Sequence, residues 1–188
     1  MAATVAMPGS KRESPNRETR RKIRAESLPG IAYSHAMNRH SITVETPTGP
    51  VSLTEEDGKI IRASWSRAEE ESPTPLLQDA AQQLRDYFDG KRTDFDLPLH
   101  PKGSAFQKAV WRQMLKIPYG GTKTYGELAK AIDGTARSVG TACGANPIPV
   151  IIPCHRVVGA DGTMTGFSGG DGVETKQALL RLEGALLL

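Results

Sequence analysis

The sequence predicts an α+β protein, a small N-terminal α/β unit followed by a helical unit with a helix-turn-helix at its centre. Three observations carry this. Short β-branched runs bounded by turn residues fill residues 41–65, amphipathic helical periods recur from residue 75 onward, and two helix starts separated by a glycine turn lie within residues 124–145. A chain of 188 residues can bury a proper core, as one domain or as two small ones.

The elements follow in order. Residues 1–38 mix Pro, Ser, Arg and Glu without an apolar period, so a basic flexible tail is expected there. In residues 41–65, the TPTG run (46–49) and the Asp57-Gly58 pair supply the turns between strands. Residues 75–90 read as a helix with Pro75 at its start, Gly90 at its end, and Leu77, Ala80, Ala81, Leu84 and Phe88 on one stripe. Ser104-x-x-Gln107 is a capping box for a helix that buries Phe106, Val110, Met114 and Ile117 and stops at Pro118. Thr124-x-x-Glu127 opens the next helix, Asp133-Gly134 turns the chain, and Thr135 caps a further helix that ends before Pro147. We expect a tail over 1–38, an N-terminal domain over 39–98 and a C-terminal domain over 99–188. The scattered acidic residues of the N-terminal domain suggest a structural part rather than a reaction centre.

Composition narrows the class. Residues 1–40 hold 8 Lys or Arg against 3 Asp or Glu, residues 41–100 hold 6 against 12, and residues 101–188 hold 10 against 6. The overall charge of +3 therefore conceals basic parts suited to a polyanion. Two cysteines, Cys143 and Cys154, make no disulfide scaffold and point to a reducing compartment. The apolar runs are too short to span a bilayer, and the basic residues 19–22 lead into more charge rather than an apolar segment. A cytoplasmic protein without membrane contact is expected.

Two stretches carry chemistry. The helix over residues 136–145 is dominated by Ala, Gly, Ser and Thr and carries a single cation, Arg137. Each glycine within it, Gly140 and Gly144, costs about 1 kcal/mol against alanine, so each needs a reason. Close packing inside the protein is one. Close approach to a ligand backbone is the other, and a helix this smooth fits a DNA minor groove only ~6 Å wide. The second stretch is Pro153-Cys154-His155-Arg156. A free thiol is only about 3% ionised at pH 7, and half-ionisation needs its pKa lowered by about 1.5, or ~2 kcal/mol. A histidine base, a cation or a helix N-terminus would supply that. Neighbouring side chains of an extended backbone point apart, so Cys154 and His155 must meet through a turn or a bridging water, with Glu183 a candidate to orient the imidazole. On these residues alone Cys154 is an activated nucleophile or a buried inert thiol. A zinc site lacks any C-x-x-C or H-x-x-x-H spacing, and no cysteine-protease signature surrounds Cys154.

The stretch NPIPVIIPCHRVVGADG resembles the active-site signature of the O-6-alkylguanine-DNA alkyltransferases, the methylated-DNA–protein-cysteine methyltransferases. The resemblance extends through YFDGKRTDFDLPL, FQKAVWRQMLKIPYGGTKTYGELA, ARSVGTACGANP, TGFSGG and KQALLRLEG, about the last hundred residues, and more loosely over the unit before them. It implies a ribonuclease-H-like N-terminal unit and a winged-helix-like C-terminal domain. It also implies direct-reversal repair, in which the protein binds duplex DNA through the minor groove, flips out an O-6-alkylguanine, and moves the alkyl group irreversibly onto its own cysteine in a single turnover. Alkylated thymine is a possible second substrate. Carried over by position, Cys154 is the acceptor, His155 the base acting through a water, Glu183 its support, and Tyr125 an aid to extrusion and to protonation of the leaving base. Thr124, Tyr125, Ala136, Arg137, Ser138 and Gly140 are the implied DNA contacts, with Arg137 filling the space of the flipped nucleotide. Val157, Phe167, Ser168 and Asn146 are the implied pocket and its brace. No cofactor or metal is implied, and the protein is expected to act as a monomer. Phe167 stands where many relatives have tyrosine, and the 170–176 loop is slightly longer than the resemblance leads one to expect. The alternative is a non-catalytic lesion binder or helix-turn-helix regulator. Relatives of that kind lack the cysteine.

Overall fold

The computed structural model describes residues 38–164 and 166–186, so the basic tail expected over residues 1–38 lies almost wholly outside the described residues. The α+β architecture is present. Strands β1 (Arg39–Val44), β2 (Val51–Glu56) and β3 (Lys59–Ser64) form an antiparallel sheet in sequence order. The expected turns join them. Gly49 (φ 100°) closes the first, where its N–H donates to the Thr46 carbonyl, and Asp57 and Gly58 both take positive φ, 51° and 71°, as a tight hairpin demands.

Helix α1 (Pro75–Phe88) packs on β1 and β2. Thr74 caps it by accepting from the Leu77 N–H and donates its own hydroxyl to Glu55. Leu77, Ala80, Ala81 and Leu84 are buried as the periodicity predicts. At the C-terminal end, however, Tyr87 is fully buried while Phe88 is only partly so. The stripe drifts by one residue because Tyr87 has a polar partner waiting below it.

In the C-terminal part, helix α2 (Ala105–Met114) carries the Ser104–Gln107 capping box and buries Val110, Trp111 and Met114. Trp111 fixes the next layer, since its indole N–H donates to the Ala142 carbonyl at 2.9 Å. Strand β4 (Lys123–Thr124) leads directly into α3 (Tyr125–Ala131), capped by Thr124 with Glu127. Asp133 (φ 53°) and Gly134 turn the chain into α4 (Ala136–Gly144), capped by Thr135 with Ser138. Helices α3 and α4 pack on each other, and α2 packs on α4, which makes the helix-turn-helix a rigid body. A capping contact of this kind stabilises a helix by about 0.5–2 kcal/mol, and α2, α3 and α4 each have one. A 3-10 turn (Cys154–Arg156) then feeds β5 (Val157–Val158), which pairs in parallel with β4, and α5 (Val173–Leu182) closes the chain.

The free edge of β3 joins the two parts. Ile60 donates to the Pro98 carbonyl and accepts from the His100 N–H, while Ala63 donates to the Pro147 carbonyl. The sheet is therefore hydrogen-bonded to the segment just ahead of Cys154. Among the described residues no helix is long and apolar enough to cross a membrane, and no group of three or more His, Cys, Asp and Glu is arranged to hold a metal ion.

Candidate active site

The local chain path decides where Cys154 points. Asn146, just past α4, donates from Nδ2 to the Ile152 carbonyl at 2.8 Å and accepts from the Ile148 N–H at 3.0 Å. This clamps the short segment between them into a tight loop, with Val150 held at φ 70°. A buried β-branched residue in that region carries strain on the order of 1–3 kcal/mol, which the surrounding structure must over-determine. Pro153 then starts the 3-10 turn, and Cys154 and His155 emerge from it on a bend rather than on opposite faces of a strand.

Behind the cysteine lies a buried polar network. His155 is fully enclosed, and its Nε2 sits 2.8 Å from Glu183 Oε1. A carboxylate only accepts, so Nε2 carries the proton and Nδ1 is the basic nitrogen. Nδ1 is the one buried side-chain polar atom among the described residues without a hydrogen-bond partner in the protein. Glu183 also accepts from the Tyr87 hydroxyl (2.7 Å), from Arg156 Nε (2.9 Å) and Nη2 (2.9 Å), and from the Gly120 N–H (3.3 Å). Arg156 gives its remaining nitrogen, Nη1, to the Ile117 carbonyl at 2.7 Å.

The charges follow from this arrangement. Burial alone would raise the Glu183 pKa, but the hydrogen bonds from His155, Arg156 and Tyr87 bring it down to about 2. Burial lowers the His155 pKa, against the pull of Glu183, and keeps the imidazole neutral and able to accept a proton. Burial also raises the Cys154 pKa, with Asn146 and the Lys176 ammonium acting against it. The resting residue is a thiol, 8% exposed, because desolvation outweighs its neighbours, and it must lose its proton during the reaction.

These shifts predict acid lability. Glu183 titrates near 4.5 in an unfolded chain and about 2 in the folded one, so its stabilisation is complete above pH 4.5 and is lost as the pH falls through 2. A histidine held neutral acts in the same direction, since below pH 6.5 the unfolded chain takes up that proton first. Imidazole NMR at pH 6.5 should find the His155 ring predominantly neutral. A half-protonated ring there would contradict the network.

Cys154 opens into a cavity of about 380 Å³ that is also lined by Asn146, Pro147, Phe167 and Ser168. Val157 is not on its wall. Its carbonyl accepts from buried Lys176 at 2.6 Å and its N–H donates to Cys154, so a carbonyl lone pair is what it still has to offer. Tyr125 stands between α4 and the 166–170 loop. A Cβ at Gly166 would come within 2.9 Å of its hydroxyl, and Lys176 Nζ lies 5.9 Å from its ring centroid.

On α4, Ala136 and Arg137 are exposed in the first turn. The Ser138 and Thr124 hydroxyls, by contrast, are engaged in their own helix caps, with Thr135 and Glu127 respectively. The two α4 glycines also have no packing reason inside the protein. A methyl group at Gly144 would meet nothing within 4 Å, and one at Gly140 would make only ordinary contact with Tyr125 at 3.9 Å.

Three residues of the site were not assigned from the sequence. Tyr87 and Lys176 are polar groups buried on helices whose stripes look merely amphipathic. Arg156 was in view within the signature, but its burial and its pairing with the Glu183 carboxylate show only in the structure.

The profile described as "6-O-methylguanine DNA methyltransferase, DNA binding domain" matches residues 105–185, and that described as "6-O-methylguanine DNA methyltransferase, ribonuclease-like domain" matches residues 40–101. The methylated-DNA–protein-cysteine methyltransferase of Methanosarcina acetivorans is 39% identical over 151 residues, 75% of this chain and 96% of the relative. That of Mycobacterium tuberculosis is 42% identical over 159 residues, 77% of this chain and 92% of the relative. The crystal structure of Mycobacterium tuberculosis OGT in complex with DNA superposes with a TM-score of 0.70 at 41% identity, covering 78% of this chain and 93% of that one. Fold and site together define a protein of the DNA-binding methyltransferase class, with a buried cysteine at the wall of a cavity. The chain belongs to the methylated-DNA–protein-cysteine methyltransferase family.

Proposed function

We propose that this protein repairs duplex DNA by direct reversal, moving the alkyl group of O-6-alkylguanine onto Cys154 in a single turnover. The observation that carries the reading is the thiol of Cys154 at the wall of a cavity, backed by a neutral histidine whose basic nitrogen has no other partner.

In this reading α4 enters the minor groove as a monomer's single reading head. Its glycines, which internal packing does not require, let the helix backbone approach the DNA. Ala136, Arg137 and Gly140 face the duplex, while Thr124 and Ser138 act mainly through the helix starts they cap. Arg137 takes the place of the extruded base, and Tyr125 helps to turn that base out of the stack, a step that costs a few kcal/mol. The base enters the 380 Å³ cavity, where Phe167 is its apolar wall and Ser168 reads a polar edge, while Val157, off that wall, holds the Lys176 ammonium in place. Asn146 keeps the Cys154 turn fixed to α4.

The chemistry is an in-line displacement. The thiol proton passes through a water to His155 Nδ1, and Glu183 balances the imidazolium that forms. Sulfur bonds to the alkyl carbon as the bond from that carbon to the guanine oxygen breaks, with its electron pair going to the oxygen. The departing guanine takes up one proton at a ring nitrogen, aided by the Tyr125 hydroxyl. The net change is a thioether on the protein and normal guanine in the DNA, with no cofactor consumed. A thioether is a poor leaving group, so the product is final. The residues divide into an N-terminal supporting unit over 39–98 and a DNA-binding and catalytic unit over 99–188, and the protein works in the cytoplasm.

Titrating excess methylated duplex against the protein should remove one methyl group per molecule. Continued removal would make it a multiple-turnover enzyme and overturn the reading. Arg137→Ala should slow repair of duplex DNA more than reaction with free O-6-benzylguanine, which needs no extrusion. Equal losses with both substrates would assign Arg137 to the chemistry or to folding instead.

A further inference from the structure

The cavity at Cys154 is not made by the C-terminal part alone. Residues of β3 and the position after it, Arg62 to Trp65, also line it. Trp65 is the structural centre of that wall. Its ring meets Phe167 edge-on, with centroids 5.7 Å apart and planes at 78°. Its indole N–H donates to Thr48 Oγ1 at 3.2 Å, in the turn between β1 and β2, so the ring is anchored to the sheet. The loop carrying Phe167 and Ser168 lies directly on the indole. A Cβ at Gly169 would fall 2.3 Å from Trp65, and one at Gly170 would fall 3.2 Å from it. Only glycine permits that approach.

Phe167 has no hydroxyl with which to fix itself. An aromatic without a polar handle is held by packing alone, and its edge-on partner here is Trp65. The position of this wall, and with it the width of the cavity beside the sulfur, therefore depends on a residue of the N-terminal unit.

We propose that Trp65 is a specificity-determining residue that limits the size of the alkyl group Cys154 can accept. This rests on the alkyl-transfer reading above. Truncating Trp65 releases the loop and widens the cavity. A bulky benzyl group gains from the extra room, whereas a methyl group only loses a wall that kept it close to the sulfur.

The test measures single-turnover transfer from duplexes bearing O-6-methylguanine and O-6-benzylguanine, with wild type, Trp65→Ala and Trp65→Phe. The ratio of benzyl to methyl rate is expected to rise roughly tenfold in Trp65→Ala, the low end of what one hydrocarbon unit contributes to discrimination in an apolar pocket. Trp65→Phe should fall between the two. Trp65→Leu, which keeps an apolar filler, carries the comparison if the alanine variant melts below the assay temperature. A parallel fall in both rates, or an unchanged ratio, overturns the proposal and leaves Trp65 a supporting residue of the fold. Absence of transfer by the wild type with either duplex would instead overturn the alkyl-transfer reading itself.

Discussion

Cys154→Ala is expected to abolish alkyl transfer and to leave lesion binding within about twofold of wild type. In the proposed mechanism the nucleophile and the DNA-facing surface are separate parts of the molecule. Cys154 is at the cavity wall behind the Asn146 clamp, while Arg137 and the smooth face of α4 are on the exterior. Trimming one sulfur from a site that already borders a cavity opens no new enclosed void, so the fold should survive. Single-turnover assays and binding to methylated duplex read the two effects independently. Residual transfer would mean that another group accepts the alkyl. Cys143 is the remaining thiol, but burial pushes its pKa up to about 12, and it sits 3.6 Å from Met114 Sδ. It has little capacity to become a thiolate.

Glu183→Gln is expected to cost both stability and activity. The carboxylate has no exposed side-chain surface and is the charge partner of Arg156, which is itself buried. Removing one member of such a pair strands the other charge and costs about 3–5 kcal/mol. For a chain of this size that corresponds to a fall in Tm on the order of 10 °C. The activity loss has a different origin. Glu183 fixes the His155 tautomer with Nδ1 free to accept, and in the proposed mechanism it compensates the imidazolium during transfer. The glutamine variant should therefore react slowly even at temperatures where it is fully folded. A variant that melts within about 2 °C of wild type would contradict the network. One that reacts at the wild-type rate when folded would remove His155 from the chemistry.

Much of this architecture is local and could be read from the chain. The starts of α2, α3 and α4 are announced by Ser104, Thr124 and Thr135, because a capping residue acts within three positions of itself. Asp57-Gly58 announces its hairpin for the same reason. The elements of the site that span distance were less legible. Tyr87 lies 96 residues from the Glu183 carboxylate it donates to, and nothing near it in sequence distinguishes it from Phe88. Lys176 looks like an ordinary helix lysine until α5 buries it under β5. The N-terminal unit was expected to be purely structural, yet Trp65 reaches the cavity because β3 is hydrogen-bonded to Pro147, a tertiary pairing without a sequence pattern. The state of the Cys154 thiol stayed open in the sequence for a related reason. Sequence displays the neighbouring histidine, but not the burial that dominates the thiol.

The central claim is that the alkyl group ends on Cys154. The direct test incubates the protein with duplex bearing O-6-methylguanine, digests it, and weighs the peptides containing Cys154 and Cys143. The expected result is a Cys154 peptide heavier by one methyl group in place of a hydrogen, an unmodified Cys143 peptide, and guanine restored in the DNA in equal amount. An unmodified Cys154 peptide alongside repaired DNA, or a methyl group on Cys143, would contradict it.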